Sequence, residues 1–599
     1  MSKENLPESL RRRKLIKIAA AGGAVGLSGC VGGGGDEAGT GDGGDTDGTG
    51  GDGDGEGDGD GGEEEEPVSY EWSDATWDSY WFSLYNMSTN IAMSGNGVLF
   101  PHNEQQRQMF NNRLQGMLEV SGEDGPPVAN PNLNMAAFTR GHPGFAQEPV
   151  LEDDSGRPDA STLWWDGSES SQVVSPSSLA WTHLKGVTWA KNFQSHFDLL
   201  PDSLAAEFRS MMLTTLGQIG INASLLSGGP QSNGALTRGG DDSFRLVSQF
   251  RPPAGVYTEE QGQVFELPES PGYPDRTTRP HHHAAMLWFL SDMNSLAQNG
   301  WYGYENPQPL LPREAGADAA LSGMLPEGVG IQEITDGMAR TTMDFFSPSD
   351  VESQQTTRTV GLMLGAVGFY EPQASSDELS SMAAEFANGL AGVIEENLAG
   401  NGMVENGAEN QAATQGIVGQ GLLWASEMDG VDHTGTAEEV LGYMMDTLYD
   451  EDAGTFASGE GDTTYTITAR DAGDVTGGMN AADEVLGMEG AKETYATYFN
   501  NTFRRGSLQR AERPNSRSED DEYTLPLPPE AGGEFGQAAV YNSEVEYDTE
   551  ADEWSVTDDA FRTEWALYLA NQDIWISQWG NEFYEGRGVP GTNQQPPSA

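Results

Sequence analysis

The chain has 599 residues, with 94 acidic and 30 basic side chains and a formal net charge of −64. This length leaves room for a large core or for two domains. The acidity excludes binding of duplex nucleic acid through a basic face, because the phosphates would be repelled. The single cysteine excludes an intrachain disulfide framework and a cysteine-rich zinc or iron–sulfur site.

Residues 1–30 have the features of an export signal. Arg12 and Arg13 precede an apolar run of about 10 residues, and a bilayer span needs about 20. The segment from Arg12 to Lys17 resembles the twin-arginine consensus, and the segment from Leu27 to Cys30 resembles a lipoprotein lipobox. The resemblance implies export by the twin-arginine machinery and a lipid on Cys30. The alternative for Cys30 is a buried structural thiol.

Residues 31–66 consist mostly of Gly, Asp, Glu and Thr and contain no basic side chain. Such a segment cannot bury apolar surface, so we expect a disordered acidic linker. A lipidated end, a solvated linker and a folded body predict a protein anchored to the membrane on its extracellular face. Asn86, Asn222 and Asn500 each begin an N-glycosylation sequon, which agrees with an exterior location.

The acidic excess continues through the body of the chain, in which the lysines are Lys185, Lys191 and Lys492. Self-repulsion on this scale opposes a compact fold in dilute salt, whereas molar salt reduces the screening length to about 3 Å. This composition resembles that of secreted proteins from salt-loving archaea. The alternative is a locally acidic protein from an ordinary organism.

Hydrophobic periodicity predicts a mainly α-helical body with helices near 74–93 and at 281–298, and a last helix that begins at Ala560. A small β-hairpin is predicted at Val540–Tyr547 and Glu553–Val556. The predicted regions are an N-terminal helical region, an irregular connection, a helical-hairpin region, and a closing loop, hairpin and helix: 67–230, 231–280, 281–505 and 506–599.

The loop from Leu448 to Phe456 follows a predicted helix with Tyr-Asp and then Gly and an aromatic residue. It resembles the loops between hairpins in α/α toroids of the six-hairpin glycosidase-like type. The resemblance implies helical hairpins around a central funnel, as an incomplete or a complete toroid. Gly416–Gly421 has the glycine content of a phosphate loop, but no Gly-Lys-Ser/Thr exists here, which favours close helix packing instead.

Candidate ligand-binding residues are few. His281 and His283 supply imidazoles for a metal ion, although their position after Pro280 also suits a capping or surface role. Trp301, Tyr302 and Tyr304 follow a predicted helix end, where their rings could stack on a sugar or simply anchor the loop. Acidic side chains of a neighbouring loop are candidate acid or ligand groups, or a solvated turn: Asp450 and Asp452.

No Gly-x-Ser-x-Gly elbow occurs, and the sequence designates neither a catalytic residue nor a cofactor. The favoured hypothesis is a non-catalytic, lipid-anchored surface protein that binds a solute or partner of unknown identity. The alternative is an exported carbohydrate-active enzyme, a glycoside hydrolase or lyase, of the α/α-toroid type.

Overall fold

The computed structural model describes residues 137–150, 170–195, 234–238, 244–252, 272–299, 330–510 and 540–578, with scattered positions at 70–82, 210–226, 162, 535 and 537. Within these residues helices predominate over short strands, so the predicted mainly helical fold is confirmed. No helix in this part of the chain is long and apolar enough to cross a membrane.

The helices of the described residues follow in chain order: α1 Pro176–Ser195, α2 Pro280–Asn299, α3 Ile331–Phe345, α4 Pro348–Gln354, α5 Thr357–Tyr370, α6 Asp377–Glu396, α7 Gln411–Ala425, α8 Thr434–Tyr443, α9 Ala469–Ala481, α10 Ala491–Tyr498 and α11 Thr563–Gln578. Short π-helical segments adjoin some of them: Met444–Leu448 after α8, Ala482–Leu486 after α9 and Phe499–Arg505 after α10.

The strands are short and antiparallel: β1 Arg140–Gly141, β2 Gln249–Arg251, β3 Gly272–Asp275, β4 Tyr449–Asp450, β5 Thr455–Phe456, β6 Thr464–Thr468, β7 Glu544–Asp548, β8 Glu553–Asp558 and β9 Phe561–Arg562. The pairs are β1 with β9, β2 with β3, and β4 with β5, while β6, β7 and β8 form one sheet. The predicted C-terminal hairpin is β7–β8, in which Tyr547 lies opposite Trp554.

Six helices pack side by side into a closed inner ring in the order α1, α2, α5, α7, α9 and α11, and α11 returns to α1. Helices α3, α6, α8 and α10 lie outside this ring, against α2, α5, α7 and α9. Inner and outer helices therefore alternate along the chain, which is an α/α-toroid arrangement. The ring is complete, where the sequence left a complete or incomplete toroid open. The predicted boundary at 280/281 falls one residue inside α2, and the one at 505/506 falls between α10 and α11.

Close backbone contacts between inner helices occur at glycines. A Cβ on Gly421 of α7 would lie 2.2 Å from the carbonyl oxygen of Gly361 on α5. A Cβ on Gly416 would lie 2.3 Å from the carbonyl oxygen of Asp474 on α9. Because α7 is buried along its whole length, its glycines serve helix packing, as predicted, and form no phosphate loop.

Gly421→Ala tests this contact. The new methyl group must push α5 and α7 apart, and overpacking of this kind costs about 1–3 kcal/mol. We expect the thermal unfolding midpoint to fall. Gly392→Ala in α6 is the matched control, because nothing lies within 4 Å of a Cβ there, and alanine is the better helix former. Equal midpoints for the two variants would contradict the packing role of Gly421.

Candidate active site

The inner helices begin at the same end of the ring, which we call the ring mouth. Polar side chains in or just before their first turns contact one another in pairs: Ser177–His282, Gln355–His281, Arg358–Asp471 and Ser175–Glu564. Because α5 and α9 are separated by α7 in the ring, the Arg358–Asp471 pair reaches across the mouth. The partial positive charges of the helix N-termini therefore converge on one small area.

Aromatic rings fill the centre of the ring beneath the mouth. Trp288 of α2 contacts Trp424 of α7 with ring centroids 4.9 Å apart, although these helices are not neighbours in the ring. Trp181 joins them to Tyr568, at centroid distances of 5.6 Å from Trp288 and 5.0 Å from Tyr568. This aromatic plug gives the mouth an apolar floor.

A buried carboxylate on α9 organises the charges above this floor. Asp474 accepts hydrogen bonds from Arg358 Nε at 2.6 Å, Arg470 Nε at 3.2 Å and the Tyr568 hydroxyl at 2.6 Å. Arg358 also pairs with Asp471 at 2.7 Å. Burial alone would lower the pKa of Arg358, but the two carboxylates raise it above its ordinary value. The network holds the guanidinium groups charged and in fixed orientations.

His281 is half-buried in the mouth, and its hydrogen bonds define its tautomer. The side-chain Oε1 of Gln355 accepts from the His281 backbone N–H at 3.3 Å, so the amide nitrogen faces the ring. That nitrogen lies 2.6 Å from Nδ1 and donates to it, which leaves the ring proton on Nε2. Burial lowers the pKa of His281 to about 4, and the charges of Arg470 and Arg279 contribute. The ring is neutral at pH 7.

Glu564, in the first turn of α11, is the second half-buried titratable group of the mouth. Burial raises its pKa, while a hydrogen bond from Ser175 and the charges of Arg470 and Arg562 oppose the rise. The Ser175 hydroxyl donates to one carboxylate oxygen and accepts from the Ser178 backbone N–H at 3.0 Å, which fixes its direction. The charge of Arg470 lowers the pKa of both Glu564 and His281.

The predicted metal ligands occupy other roles in the structure. His281 is hydrogen-bonded to Gln355, and the His283 ring bonds the Leu246 backbone N–H at 3.2 Å and the Thr342 hydroxyl at 3.1 Å. Burial lowers the pKa of His283 to about 3. The described residues contain no group of three or more His, Cys, Asp or Glu side chains that could hold a metal ion.

The two acids of the distinctive loop make local contacts or face solvent. Asp450 Oδ1 accepts from the backbone N–H groups of Asp452 and Ala453 at 3.0 and 3.1 Å, and Oδ2 accepts from the Tyr465 hydroxyl at 2.7 Å. Asp450 thus closes a turn, while Asp452 is exposed. Other predicted site residues lie outside the described residues: Arg12, Arg13, Cys30, Asn86, Trp301, Tyr302 and Tyr304.

Two predicted glycosylation sequons lie within the described residues. Asn222 and Asn500 are half-buried in π-helical segments. The hydroxyl residue of each sequon is buried, with Ser224 1% and Thr502 0% exposed. Thr502 Oγ1 lies 2.7 Å from the Thr455 hydroxyl. Neither hydroxyl is accessible in the folded chain, so modification at either asparagine requires prior opening of its segment.

Sequence reasoning missed the charged residues that build the mouth, namely Arg358, Arg470, Asp471, Asp474 and Glu564. They are spread over more than 200 residues of sequence, and only ring closure brings them together. One signal was present for Arg358, Arg470, Asp471 and Glu564, whereas Asp474 lies in the second turn of α9. A charged side chain stands in the first turn of a helix that is otherwise buried, as Glu564 does before the buried run of α11.

No protein-family model and no curated protein matches the chain. Among solved structures, a D-mannose isomerase has a TM-score of 0.39 at 7% identity, over 79% of this chain and 99% of that one. Cellobiose 2-epimerase from Bacillus thermoamylovorans B4167 gives 0.39 and 9%, over 78% and 99%. A sugar epimerase from a ruminal bacterium gives 0.26 and 14%, over 51% and 88%. At such identities no residue role can be carried over.

Asp474→Asn tests the charge network. Two guanidinium groups would lose their shared buried carboxylate, and breaking a buried ion pair costs about 3–5 kcal/mol. We expect a large fall in the thermal midpoint. The control is Glu378→Gln, which removes an exposed partner of Arg340 and should cost less than about 1 kcal/mol. A midpoint for Asp474→Asn as high as that of the control would show that the network does not stabilise the ring.

Proposed function

We propose that the chain is a carbohydrate-active enzyme that removes a proton from the carbon next to a sugar carbonyl, and so isomerises or epimerises the sugar. One observation carries this proposal. Glu564, whose pKa is raised, and the neutral imidazole of His281, with its proton on Nε2, lie at the same mouth. Arg470 lies there too, and its charge lowers the pKa of both groups. A carboxylate base, a neutral donor and a fixed positive charge are the groups that enolisation requires.

Glu564 takes the role of general base. A raised pKa makes its carboxylate a stronger base than an ordinary glutamate at the same degree of ionisation. Ser175 occupies one carboxylate oxygen and so sets the orientation of the other. The carboxylate removes the proton from the carbon next to the carbonyl. Isomerisation returns this proton to the former carbonyl carbon while the hydroxyl proton moves to the former carbonyl oxygen. Epimerisation returns it to the opposite face of the first carbon after the enediolate has turned in the mouth.

His281 and Arg470 stabilise the negative charge that develops on the carbonyl oxygen. The Nε2–H of His281 donates to this oxygen, since Gln355 holds the proton on that nitrogen. Arg470 is held by Asp474 and by the ring of Tyr568, whose centroid lies 3.9 Å from its guanidinium carbon. Donors that are already in place need no reorganisation when the charge appears.

The mouth also has the chemistry of a sugar site. Guanidinium, amide and carboxylate groups offer both donors and acceptors to hydroxyls, and the half-buried Trp565 offers an aromatic ring beside Glu564. These features support the enzyme alternative over the non-catalytic binder that the sequence favoured. The proposed reaction differs from hydrolysis, because no water is consumed.

We place this enzyme outside the cell on sequence evidence alone. The twin-arginine segment at Arg12 and Arg13, the lipobox ending at Cys30 and the acidic linker 31–66 support a lipid-anchored body on the extracellular face of the membrane. The acidic composition supports folding and activity at high salt concentration, where charge repulsion is screened.

Solvent exchange tests the reaction class. In D2O with molar KCl, the protein should incorporate deuterium at C2 of at least one reducing sugar from a panel of hexoses and hexuronates, followed by proton NMR. His281→Leu removes the Nε2–H donor and should reduce the exchange rate by about 100-fold or more. The readout is bond-specific, so it distinguishes enolisation from binding.

The matched control is His433→Leu, since His433 lies on outer elements and is bonded to Glu395 and Asn388. It should leave the exchange rate within a factor of two of the parent, because His433 lies away from the mouth. Exchange unaffected in His281→Leu would contradict the assignment of His281. Release of new reducing ends from oligosaccharides without any C2 exchange would establish hydrolysis instead.

A further inference from the structure

Two arginines face each other at the edge of the mouth. Arg140 of β1 is the direct register partner of Arg562 of β9. Like charges at directly opposed positions of an antiparallel pair are destabilising. The Arg562 guanidinium pairs with Asp558 at 2.8 Å, whereas Arg140 makes no ion pair within the described residues. Arg140 is therefore the member of the pair whose guanidinium group is not committed to a carboxylate of the described residues.

This pair adjoins the proposed base. Strand β9 continues directly into α11, so Arg562 precedes Glu564 by two residues. The charge of Arg562 acts on both Glu564 and Asp558, and the charge of Arg140 also acts on Asp558. The Arg562 guanidinium carbon lies 4.5 Å from the ring centroid of Trp565, which holds the side chain against the mouth.

Both guanidinium groups are open to solvent. Arg140 is exposed, and the Arg562 side chain keeps 41% of its surface accessible. Guanidinium groups bind a carboxylate through two parallel hydrogen bonds. Such contacts persist in molar salt better than long-range attraction, which is screened beyond about 3 Å.

We propose that Arg140 and Arg562 bind a carboxylate of the substrate, so that the sugar processed at the mouth is a sugar acid. This inference rests on the proposed function, because it places the carboxylate at the edge of the mouth and leaves the carbonyl end of the sugar to reach the base Glu564. The Arg140–Arg562 pair acts in specificity. A neutral hexose lacks the group that the pair recognises and binds more weakly.

Binding of matched sugars tests the inference. Galacturonate and galactose differ only in a carboxylate against a hydroxymethyl group, and titration calorimetry in molar KCl compares them on the full-length protein. We expect galacturonate to bind at least about tenfold more tightly, which corresponds to 1.4 kcal/mol. Arg140→Gln should remove most of this preference and leave galactose affinity unchanged. Arg340→Gln, an exposed arginine of α3 paired with Glu378, is the control and should keep the preference.

Arg140→Lys tests whether the positive charge alone is sufficient. Lysine keeps the charge but cannot donate two parallel hydrogen bonds, so this variant should recover only part of the preference for galacturonate over galactose. A galacturonate trimer that binds more tightly than the monomer identifies an acidic polysaccharide as the source, and equal affinity identifies a free sugar acid. Both outcomes support carboxylate recognition.

Equal affinity for galacturonate and galactose, binding of neither, or the same loss in Arg140→Gln and Arg340→Gln would overturn the inference. The experiments distinguish failure of the proposed carboxylate site from failure of the proposed reaction. Deuterium exchange on neutral sugars without acid preference would refute the carboxylate site and leave the enzyme. A carboxylate preference that depends on Arg140, without exchange on any sugar, would refute the reaction and leave the binding site.

Discussion

Backbone-to-backbone contact between inner helices is the constraint on which the rest of the structure depends. Gly361, Gly416, Gly421 and Gly478 let α5, α7 and α9 approach until a single methyl group would collide with a main-chain atom. At this spacing the inner helices close into one ring, with their N-termini at one end. The mouth is a consequence of that closure, because its charged residues come from helices that are distant in sequence.

The charges of the mouth contrast with those of the whole chain. The arginines of the mouth are paired with specific carboxylates. Asp471 and Asp474 pair with Arg358, and Asp474 also pairs with Arg470. Desolvation then acts in opposite directions on the remaining groups, lowering the pKa of His281 and raising that of Glu564. Environments that separate two titratable groups in this way favour acid–base chemistry over simple binding.

Much of the fold could be predicted from the sequence, because helical periodicity and turn residues are local signals. The helix at 281–298, the β7–β8 hairpin and the packing role of the α7 glycines are confirmed. The site was largely missed, since Arg358, Asp474 and Glu564 look like ordinary helix residues until the ring closes. His281 was named as a candidate metal ligand, with a capping or surface role as the alternative, and the structure shows its Nδ1 accepting a hydrogen bond from Gln355, 74 residues away.

The most direct test of the account is the pH dependence of deuterium exchange in Ser175→Ala. The base must be ionised, so exchange slows as the pH falls below the pKa of Glu564. The Ser175 hydrogen bond lowers that pKa against burial, and its removal should shift the acidic limb of kcat/KM to higher pH. Ser177→Ala, which removes a hydroxyl bonded to His282 instead, should leave the limb in place. An acidic limb that is unmoved in Ser175→Ala, or that moves to lower pH, would contradict the role of Glu564.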